Sequence, residues 1–239
     1  VAPANALAPL AGGVNLGTAV HDWLEQWDFK TLNPIALANH LRDYPLGDAT
    51  RQQMLTEALL EVLNDLRSAR LVGLDATIAE ACPLADASEW TFHLPLRDGF
   101  SLQKMATIFE RHGYGSYASQ LAMMPDSQLR GFLHGFIDRL VYWQGAWGVI
   151  DWKTNKLGID ATAYAQPALQ NCVEQQHYFL QAVLYLLALR RFLPQGTPVA
   201  GAWVVFLRGI QANSSAGILS INPPSALLQE LDELFVKPS

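Results

Sequence analysis

The first eighty residues place apolar side chains at the three- and four-residue spacing of amphipathic helices. This pattern predicts helices in residues 15–27, 33–44 and 48–71, and Asn33 before Pro34 is a suitable N-cap for the second helix. The predicted buried stripes are Ala19, Val20, Trp23, Leu24 and Trp27 in the first helix, and Met54, Leu55, Ala58, Leu59, Val62, Leu63 and Leu66 in the third. We therefore expect residues 13–80 to form a mainly helical region.

From residue 86 onward the pattern changes, because strands now alternate with helices. Trp90, Phe92 and Leu94 alternate with polar residues before an Asp-Gly turn, which is typical of a strand. The predicted strands are residues 88–99, 128–143, 146–154 and 199–209, and the predicted helices are residues 101–113, 173–193 and 224–235. The order predicts an α/β core in residues 86–239, a helical cap before it, and a linker in residues 1–12.

The composition fits a protein with a sizeable core and some covered surface. Half of the 239 residues are hydrophobic, only 16% are charged, and 7 are Trp, so we expect apolar surface that a partner normally covers. The net charge of −6 argues against nucleic-acid binding by overall charge, although a bound divalent cation would offset part of it. The two cysteines suit reduced thiols in a cytosolic protein, and no run reaches the roughly 20 apolar residues of a membrane span.

Two predicted strands, residues 128–143 and 146–154, each carry an aspartate among large apolar residues. A turn centred on Gln144 and Gly145 places Trp143 opposite Ala146 and, five residues further along each strand, Asp138 opposite Asp151. Lys153 shares a strand face with Asp151, because side chains alternate with a period of two. The hairpin therefore predicts two carboxylates and an ammonium at one end of the sheet.

Facing carboxylates repel each other unless a positive charge lies between them. The hard, oxygen-liganded cation that suits such a pair is Mg²⁺, which would polarise a phosphoryl oxygen and generate hydroxide while the lysine positions the water. The alternative that the hairpin leaves open is a structural ion pair between aspartate and lysine.

Other motifs carry less information. Residues 113–118, "GYGSYA", fit a loose dinucleotide fingerprint, but they follow a helix and open no βαβ unit. The chain contains neither a GxxxxGK[ST] nor a GxSxG motif. His93 and His134 lie in predicted strands and could approach the site. The basic residues that could form a phosphate-binding patch are Lys153, Lys156, Arg190, Arg191 and Arg208. All of them except Lys153 could equally be scattered solvated charges.

Asp138 followed by Asp151-Trp152-Lys153 resembles the motif of the PD-(D/E)xK nuclease superfamily, with Ile137 in place of the usual proline. Residues 135–158, together with "GTAVHDWLEQWDF", "LQAVLYLLALRRFL" and "VVFLRG", resemble the RecB-type nuclease domains of that superfamily in the same order. The resemblance covers most of residues 13–237 and is weakest in residues 30–85 and 98–128. It implies a restriction-endonuclease-like core with a central mixed β-sheet flanked by helices.

The same resemblance implies roles that spacing alone does not assign. His21, Asp138, Asp151 and the main-chain carbonyl of Trp152 match the metal ligands of the family, and Lys153 matches its catalytic lysine. Gln181 and Tyr185 match its QxxxY helix motif beside the site. Without the resemblance, His21 reads as a surface or core histidine, whereas for Gln181 a structural hydrogen bond and a role at the site are equally supported.

The function implied is that of a Mg²⁺-dependent DNA exonuclease domain in a bacterial cytoplasmic helicase–nuclease that repairs and recombines broken DNA. Ca²⁺ would occupy the site without supporting catalysis. The implied partners are single-stranded DNA, the RecC and RecD subunits and the RecA recombinase. An alternative is a docking module for RecA loading and RecC assembly, in which RecA binding would survive loss of Asp151. A degenerate structural nuclease fold is disfavoured by the intact Asp, Asp and Lys set.

Overall fold

The computed structural model describes residues 2–82, 88–125 and 131–236. Its α-helices are α1 (Val14–Gln26), α2 (Pro34–Arg42), α3 (Ala49–Ser68), α4 (Ile78–Ala81), α5 (Leu102–Arg111), α6 (Gly115–Ala122), α7 (Gln166–Gln175), α8 (Tyr178–Phe192) and α9 (Ser225–Asp232). Its strands are β1 (Arg70–Leu71), β2 (Ala76–Thr77), β3 (Ser88–Pro95), β4 (Phe132–Trp143), β5 (Ala146–Lys153), β6 (Val199–Phe206) and β7 (Ile218–Ile221). Within the described ranges, no helix has the length and apolar character needed to cross a membrane.

A five-stranded sheet in the order β3–β4–β5–β6–β7 forms the centre of the molecule. The neighbours β3, β4 and β5 are antiparallel, β5 and β6 are parallel, and β6 and β7 are antiparallel. The parallel pair is connected through α7 and α8, which provide the crossover that such a pair requires. The mixed sheet with helices packed against it confirms the predicted α/β fold class.

Two hydrophobic clusters lie against the sheet. Val149 belongs to the cluster formed with α5 to α9, whereas its neighbour Ile150 belongs to the cluster formed with the N-terminal helices. Successive residues of a strand point to opposite faces, so β5 is covered on both faces. The same holds for β6, in which Val204 and Val205 belong to different clusters. The N-terminal helices therefore form a second layer over part of the sheet.

The β4–β5 hairpin has the predicted register. Trp143 pairs with Ala146, and the pairing continues to Arg139 opposite Ile150. Gln144 and Gly145 form the turn with φ values of 48° and 88°. Two positive φ values suit the twist of a two-residue hairpin turn, and Gly adopts such a value without strain.

The N-terminal region is mainly helical, with two departures from the prediction. The Asn33 side chain accepts hydrogen bonds from the backbone N–H groups of Ile35 and Ala36, which confirms the predicted cap. The assignment of Met54 to the buried stripe of the third helix is wrong, because that side chain is exposed, whereas the other six members are buried. The short strands β1 and β2 pair within residues 70–77, inside the region that the sequence predicts to be mainly helical.

The long helix predicted in residues 173–193 is wrong as a single element. It is divided into α7 and α8 at Gln176 and His177, and His177 adopts a left-handed φ of 56°. A left-handed residue ends the run of backbone hydrogen bonds. The new helix α8 starts at Tyr178 and ends before Pro194.

In the α/β core, the helix α6 and the strand β7 were not predicted from the sequence. The "GYGSYA" motif contains the start of α6, and α6 directly follows α5. The motif therefore opens no βαβ unit. Strand β7 pairs with β6 at the edge of the sheet. Of the predicted strand 128–143, residues 128–130 lie outside the described residues, and β4 begins at Phe132.

The segment that the sequence predicts to be a linker is packed against the domain over its described residues. Leu7 and Ala8 are fully buried, and the Asn5 side chain donates hydrogen bonds to the carbonyl oxygens of Leu207 and Ile210 at 2.8 and 3.1 Å. These contacts fix the segment beside the chain that leaves β6.

Candidate active site

The two aspartates of the hairpin lie where its strands separate. Asp138 and Asp151 lie one position beyond the last pair of the ladder, which is Arg139 opposite Ile150. The Asp138 carboxylate accepts a hydrogen bond from the backbone N–H of Trp152 at 2.8 Å. A side-chain oxygen therefore satisfies a backbone donor beyond the paired part of the hairpin, and the Asp138 carboxylate is held beside β5.

Asp151 is buried and forms an ion pair with Lys153. The Lys153 ammonium donates a hydrogen bond to Asp151 Oδ1 at 2.9 Å and lies 2.7 Å from Oδ2. Oδ2 is nevertheless a buried atom without a hydrogen bond of acceptable angle to any described residue. We take the pair as one strong contact through Oδ1, which leaves acceptor capacity at Oδ2.

Helix α8 holds the other side of Lys153. The ammonium donates to Gln181 Oε1 at 3.1 Å, and Gln181 Nε2 in turn donates to the Tyr185 hydroxyl at 2.6 Å. The ammonium also lies 4.0 Å from the centre of the Tyr178 ring, within the range of a cation–π interaction. Gln181 thus connects the lysine to Tyr185, and its hydrogen-bonding requirement is satisfied inside the site.

Helix α1 brings His21 to the same place. His21 Nδ1 lies 3.6 Å from Asp138 Oδ2, within ion-pair distance. Burial nevertheless lowers the pKa of His21, against the opposing effects of Asp151 and the Trp152 backbone. The lowered pKa favours the neutral imidazole, which is the form that binds metal ions.

A glycine on α1 permits this approach. A Cβ atom on Gly17 would lie 3.2 Å from the Thr154 side-chain oxygen, which is tighter than ordinary contact. Gly17 and His21 are four residues apart and share a helix face. The absence of a side chain at Gly17 thus lets α1 pack closely against the end of β5.

Both site carboxyls hold their protons more tightly than an exposed aspartate. Burial raises the pKa of Asp151, and Lys153 only partly offsets this while Asp138 adds to it. Burial also raises the pKa of Asp138, against the Trp152 hydrogen bond and Lys153. The two groups share one nearby lysine, so the site has more negative charge than it neutralises when both are ionised.

The structure adds two residues that the sequence did not identify. Tyr178 contacts Lys153, but only the position of α8 reveals this. Glu89 lies in β3 between residues that pair with Arg139 and Ile137 of β4, so it falls opposite Asp138, whose pKa it raises. Its φ of 46° is a left-handed value within a strand. The alternation in residues 88–95 marks Glu89 as a polar-face residue, but no sequence signal predicts its partner strand.

The predicted phosphate-binding patch is not assembled. Arg208 is fully buried and donates to the Thr154 carbonyl at 2.9 Å and to carbonyls of the N-terminal segment. Arg191 pairs with Asp232 at 2.6 Å. Lys156 binds the Pro9 carbonyl at 2.7 Å. These cations serve structural contacts, and Lys153 alone of the predicted set lies among the site residues described above.

The donor set fits a divalent metal ion. Among the described residues, no group of three His, Cys, Asp or Glu side chains is already gathered as a metal cluster. The site does combine the buried Asp151 carboxylate, the half-buried Asp138 carboxylate and the His21 imidazole, and Asp151 Oδ2 has no hydrogen-bond partner among the described residues. Buried like charges are unfavourable without a cation, and oxygen donors with one imidazole suit a hard ion. His21, Asp138, Asp151 and the Trp152 carbonyl are the groups that could hold it.

The chain resembles known proteins along most of its length. The model of the PD-(D/E)XK nuclease superfamily matches residues 6–237. The RecBCD enzyme subunit RecB of Escherichia coli (strain K12) is 27% identical over 234 residues, which cover 93% of this chain and 19% of that protein. The subunit of the same name from Haemophilus influenzae is 28% identical over 235 residues, which cover 95% of this chain and 19% of that protein.

A third RecB subunit shows higher identity over a shorter range. The RecBCD enzyme subunit RecB of Mycobacterium tuberculosis (strain CDC 1551 / Oshkosh) is 32% identical over 177 residues, which cover 62% of this chain and 16% of that protein. The chain thus spans less than a fifth of the length of each of these relatives.

Proposed function

The chain belongs to the PD-(D/E)XK nuclease superfamily, and we propose that it is a metal-dependent deoxyribonuclease domain of the exodeoxyribonuclease V type. Its reaction is the hydrolysis of phosphodiester bonds in unwound single-stranded DNA during repair and recombination of double-strand breaks. The observation that carries this proposal is the meeting of Asp138, Asp151 and Lys153 at one end of the hairpin, with Lys153 fixed by Gln181.

The metal proposed is Mg²⁺, held by His21, Asp138, Asp151 and the Trp152 carbonyl. When bound, Mg²⁺ supplies Lewis-acid polarisation of the scissile phosphate and a water of lowered pKa. Ca²⁺ prefers similar oxygen donors and is expected to occupy the site without supporting cleavage. The neutral state of His21 favours binding, since a protonated imidazole offers no free lone pair at the metal.

Lys153 orients the attacking water and stabilises negative charge that develops on the phosphate. Its ammonium is a compact charge with three donors. It donates hydrogen bonds to Asp151 Oδ1 and Gln181 Oε1. Attack of water on phosphorus breaks the bond to the 3′ oxygen, which leaves a 3′-hydroxyl and a 5′-phosphate. Gln181 and Tyr185 act on this step by holding Lys153 in place.

The proposed setting is the C-terminal region of a longer helicase–nuclease subunit. RecB is named as a subunit of the RecBCD enzyme in the relatives above, and this chain corresponds to 19% of the length of two of them. We therefore propose RecC and RecD as partner subunits and a helicase motor as the source of single-stranded DNA. RecA is proposed as a further partner on the same analogy.

Lys153→Ala tests the assigned role of the lysine. We expect the single-turnover rate of cleavage of end-labelled single-stranded DNA in Mg²⁺ to fall by about a hundredfold to a thousandfold, because a donor to the developing charge is lost. Lys156→Ala is the matched control, since Lys156 is an exposed lysine three residues away that binds a carbonyl of the N-terminal segment. A Lys153→Ala protein that folds and cleaves at the wild-type rate would refute this role.

A further inference from the structure

Among the residues that the structure describes, one part of the central sheet is covered on a single face only. In β4, exposed residues alternate with half-buried ones up to Phe136, whereas Arg139, Leu140 and Val141 are buried in succession. The strand β3 alternates in the same way along most of its length, with Glu89, Thr91 and His93 exposed. The N-terminal helical layer therefore ends near Asp138, and beyond it no described residue covers this face of the sheet.

The open face carries aromatic side chains in a row. Phe132, His134 and Phe136 alternate on β4, and Phe132 and Phe136 expose 66% and 51% of their surface. His93 of β3 lies opposite His134, with ring centres 6.4 Å apart and planes inclined by 30°. Residues two apart on a strand are separated by about 6.6 Å, so the row presents rings at a regular spacing along β4.

The row leads directly to the candidate active site. Phe136 lies two residues before Asp138, and His21 of α1 contacts Asp138 at the edge of the covered region. The exposed aromatic surface is thus continuous with the residues assigned to catalysis. Of the residues of β3 and of β4 up to Asp138 that alternation places on this face, Glu89 and Asp138 are the acidic ones, and they lie opposite each other at the end next to the candidate active site.

We propose that this aromatic row, Phe132, His134 and Phe136 with His93, binds the bases of single-stranded nucleic acid next to the scissile phosphate. Exposed rings on a strand stack on unpaired bases whatever their sequence. This suits a protein whose net charge is −6, because base stacking supplies contacts that electrostatic attraction does not. The inference rests on the proposed function for the position of the phosphate.

Binding and cross-linking test the row without relying on cleavage. A fluorescent oligothymidylate is titrated with the whole chain in Ca²⁺ buffer, and the same oligonucleotide carrying 5-iododeoxyuridine is photocross-linked at high protein concentration. We expect Phe132→Ala/Phe136→Ala to weaken binding by about tenfold or more, and Phe132→Trp/Phe136→Trp to keep it, since each stacked base contributes measurably. Cross-links are expected at Phe132 or Phe136.

Phe192→Ala is the matched control, because Phe192 is 62% exposed and packs against Trp90 at the end of α8. Melting temperatures confirm that each variant is folded. Unchanged affinity of the double alanine variant, absence of binding by the wild type, or cross-links only elsewhere would each overturn the inference. Row-dependent binding without any cleavage in Mg²⁺ would uphold it while contradicting the proposed function. Cleavage in Mg²⁺ together with binding that does not depend on the row would uphold the proposed function and overturn the inference.

Discussion

At the level of single residues, the environment of Lys153 is the most informative feature of the site. Its ammonium contacts a carboxylate, an amide oxygen and the face of an aromatic ring, contributed by Asp151, Gln181 and Tyr178. Together these groups fix the ammonium at the end of β5. A lysine held in this way can direct its donors toward a substrate without losing rotamer freedom in each cycle.

Replacing Tyr178 tests whether the aromatic ring positions the lysine. Tyr178→Leu removes the cation–π contact, and we expect kcat for DNA cleavage to fall by about fivefold with KM unchanged. Tyr178→Phe keeps the ring and loses only the hydroxyl contact with Asn155, so it should retain nearly all activity. Equal losses in both variants would assign the effect to the hydroxyl group and contradict a role for the ring.

The sequence predicts the site residues to different depths. The turn at Gln144 and Gly145 fixes the register, so alternation alone brings Asp138, Asp151 and Lys153 together. His21 lies far away in sequence and is identified only by resemblance to a family. Tyr178 is not identified from the sequence, because its contact with Lys153 depends on how α8 packs on β5, which no local pattern encodes.

At the level of elements, the close packing of α1 on the end of β5 gives the site its histidine. Gly17 lies beside Thr154, and His21 follows one helical turn later beside Asp138. A helix displaced by even one side chain would move His21 out of ligand distance, since metal sites tolerate only small changes in geometry. The glycine therefore has a functional reason, in spite of its low helix propensity.

Gly17→Val tests this packing. We expect Mg²⁺ affinity, measured by isothermal titration calorimetry, to fall by about tenfold, because the added side chain pushes α1 and His21 away from β5. Gly115→Val in α6 is the control, since a Cβ atom there meets open space. If Gly17→Val binds Mg²⁺ as tightly as the control, the close packing is not needed to place His21.

Periodicity predicts most elements, and the misses have physical causes. Alternation in residues 88–95 and in the hairpin is read directly from the sequence, because each strand has a long apolar face. The break between α7 and α8 lacks Gly or Pro, and His177 adopts a conformation that few residues favour. The strand β7 is four residues long and depends on its pairing with β6.

At the level of the whole molecule, the ionised site carboxylates destabilise the folded, metal-free protein. Burial raises the folded-state pKa of Asp138 and Asp151 above that of an unfolded chain, so the native state binds more protons over that pH range. Stability from these groups is therefore present at low pH and lost as the pH rises through the folded-state pKa. Bound metal would remove this cost.

Thermal unfolding between pH 5 and pH 8 tests this linkage. Relative to Asp138→Asn/Asp151→Asn, the metal-free wild type should lose stability as the pH rises. The rise in Tm caused by Mg²⁺ should grow over the same range, reaching roughly 5–10 °C at a hundredfold excess over Kd, because the ion binds the ionised carboxylates. A wild type that parallels the double variant at every pH, with and without Mg²⁺, would contradict the account.

The central claim is that a metal-dependent nuclease acts through the β4–β5 hairpin. The most direct measurement is cleavage of end-labelled single-stranded DNA in Mg²⁺ and in EDTA by the wild type, Asp151→Ala and Asp75→Ala, in which an exposed carboxylate is the control. The account predicts Mg²⁺-dependent cleavage by the wild type and Asp75→Ala, and its loss in folded Asp151→Ala. Cleavage by Asp151→Ala at the wild-type rate would contradict it.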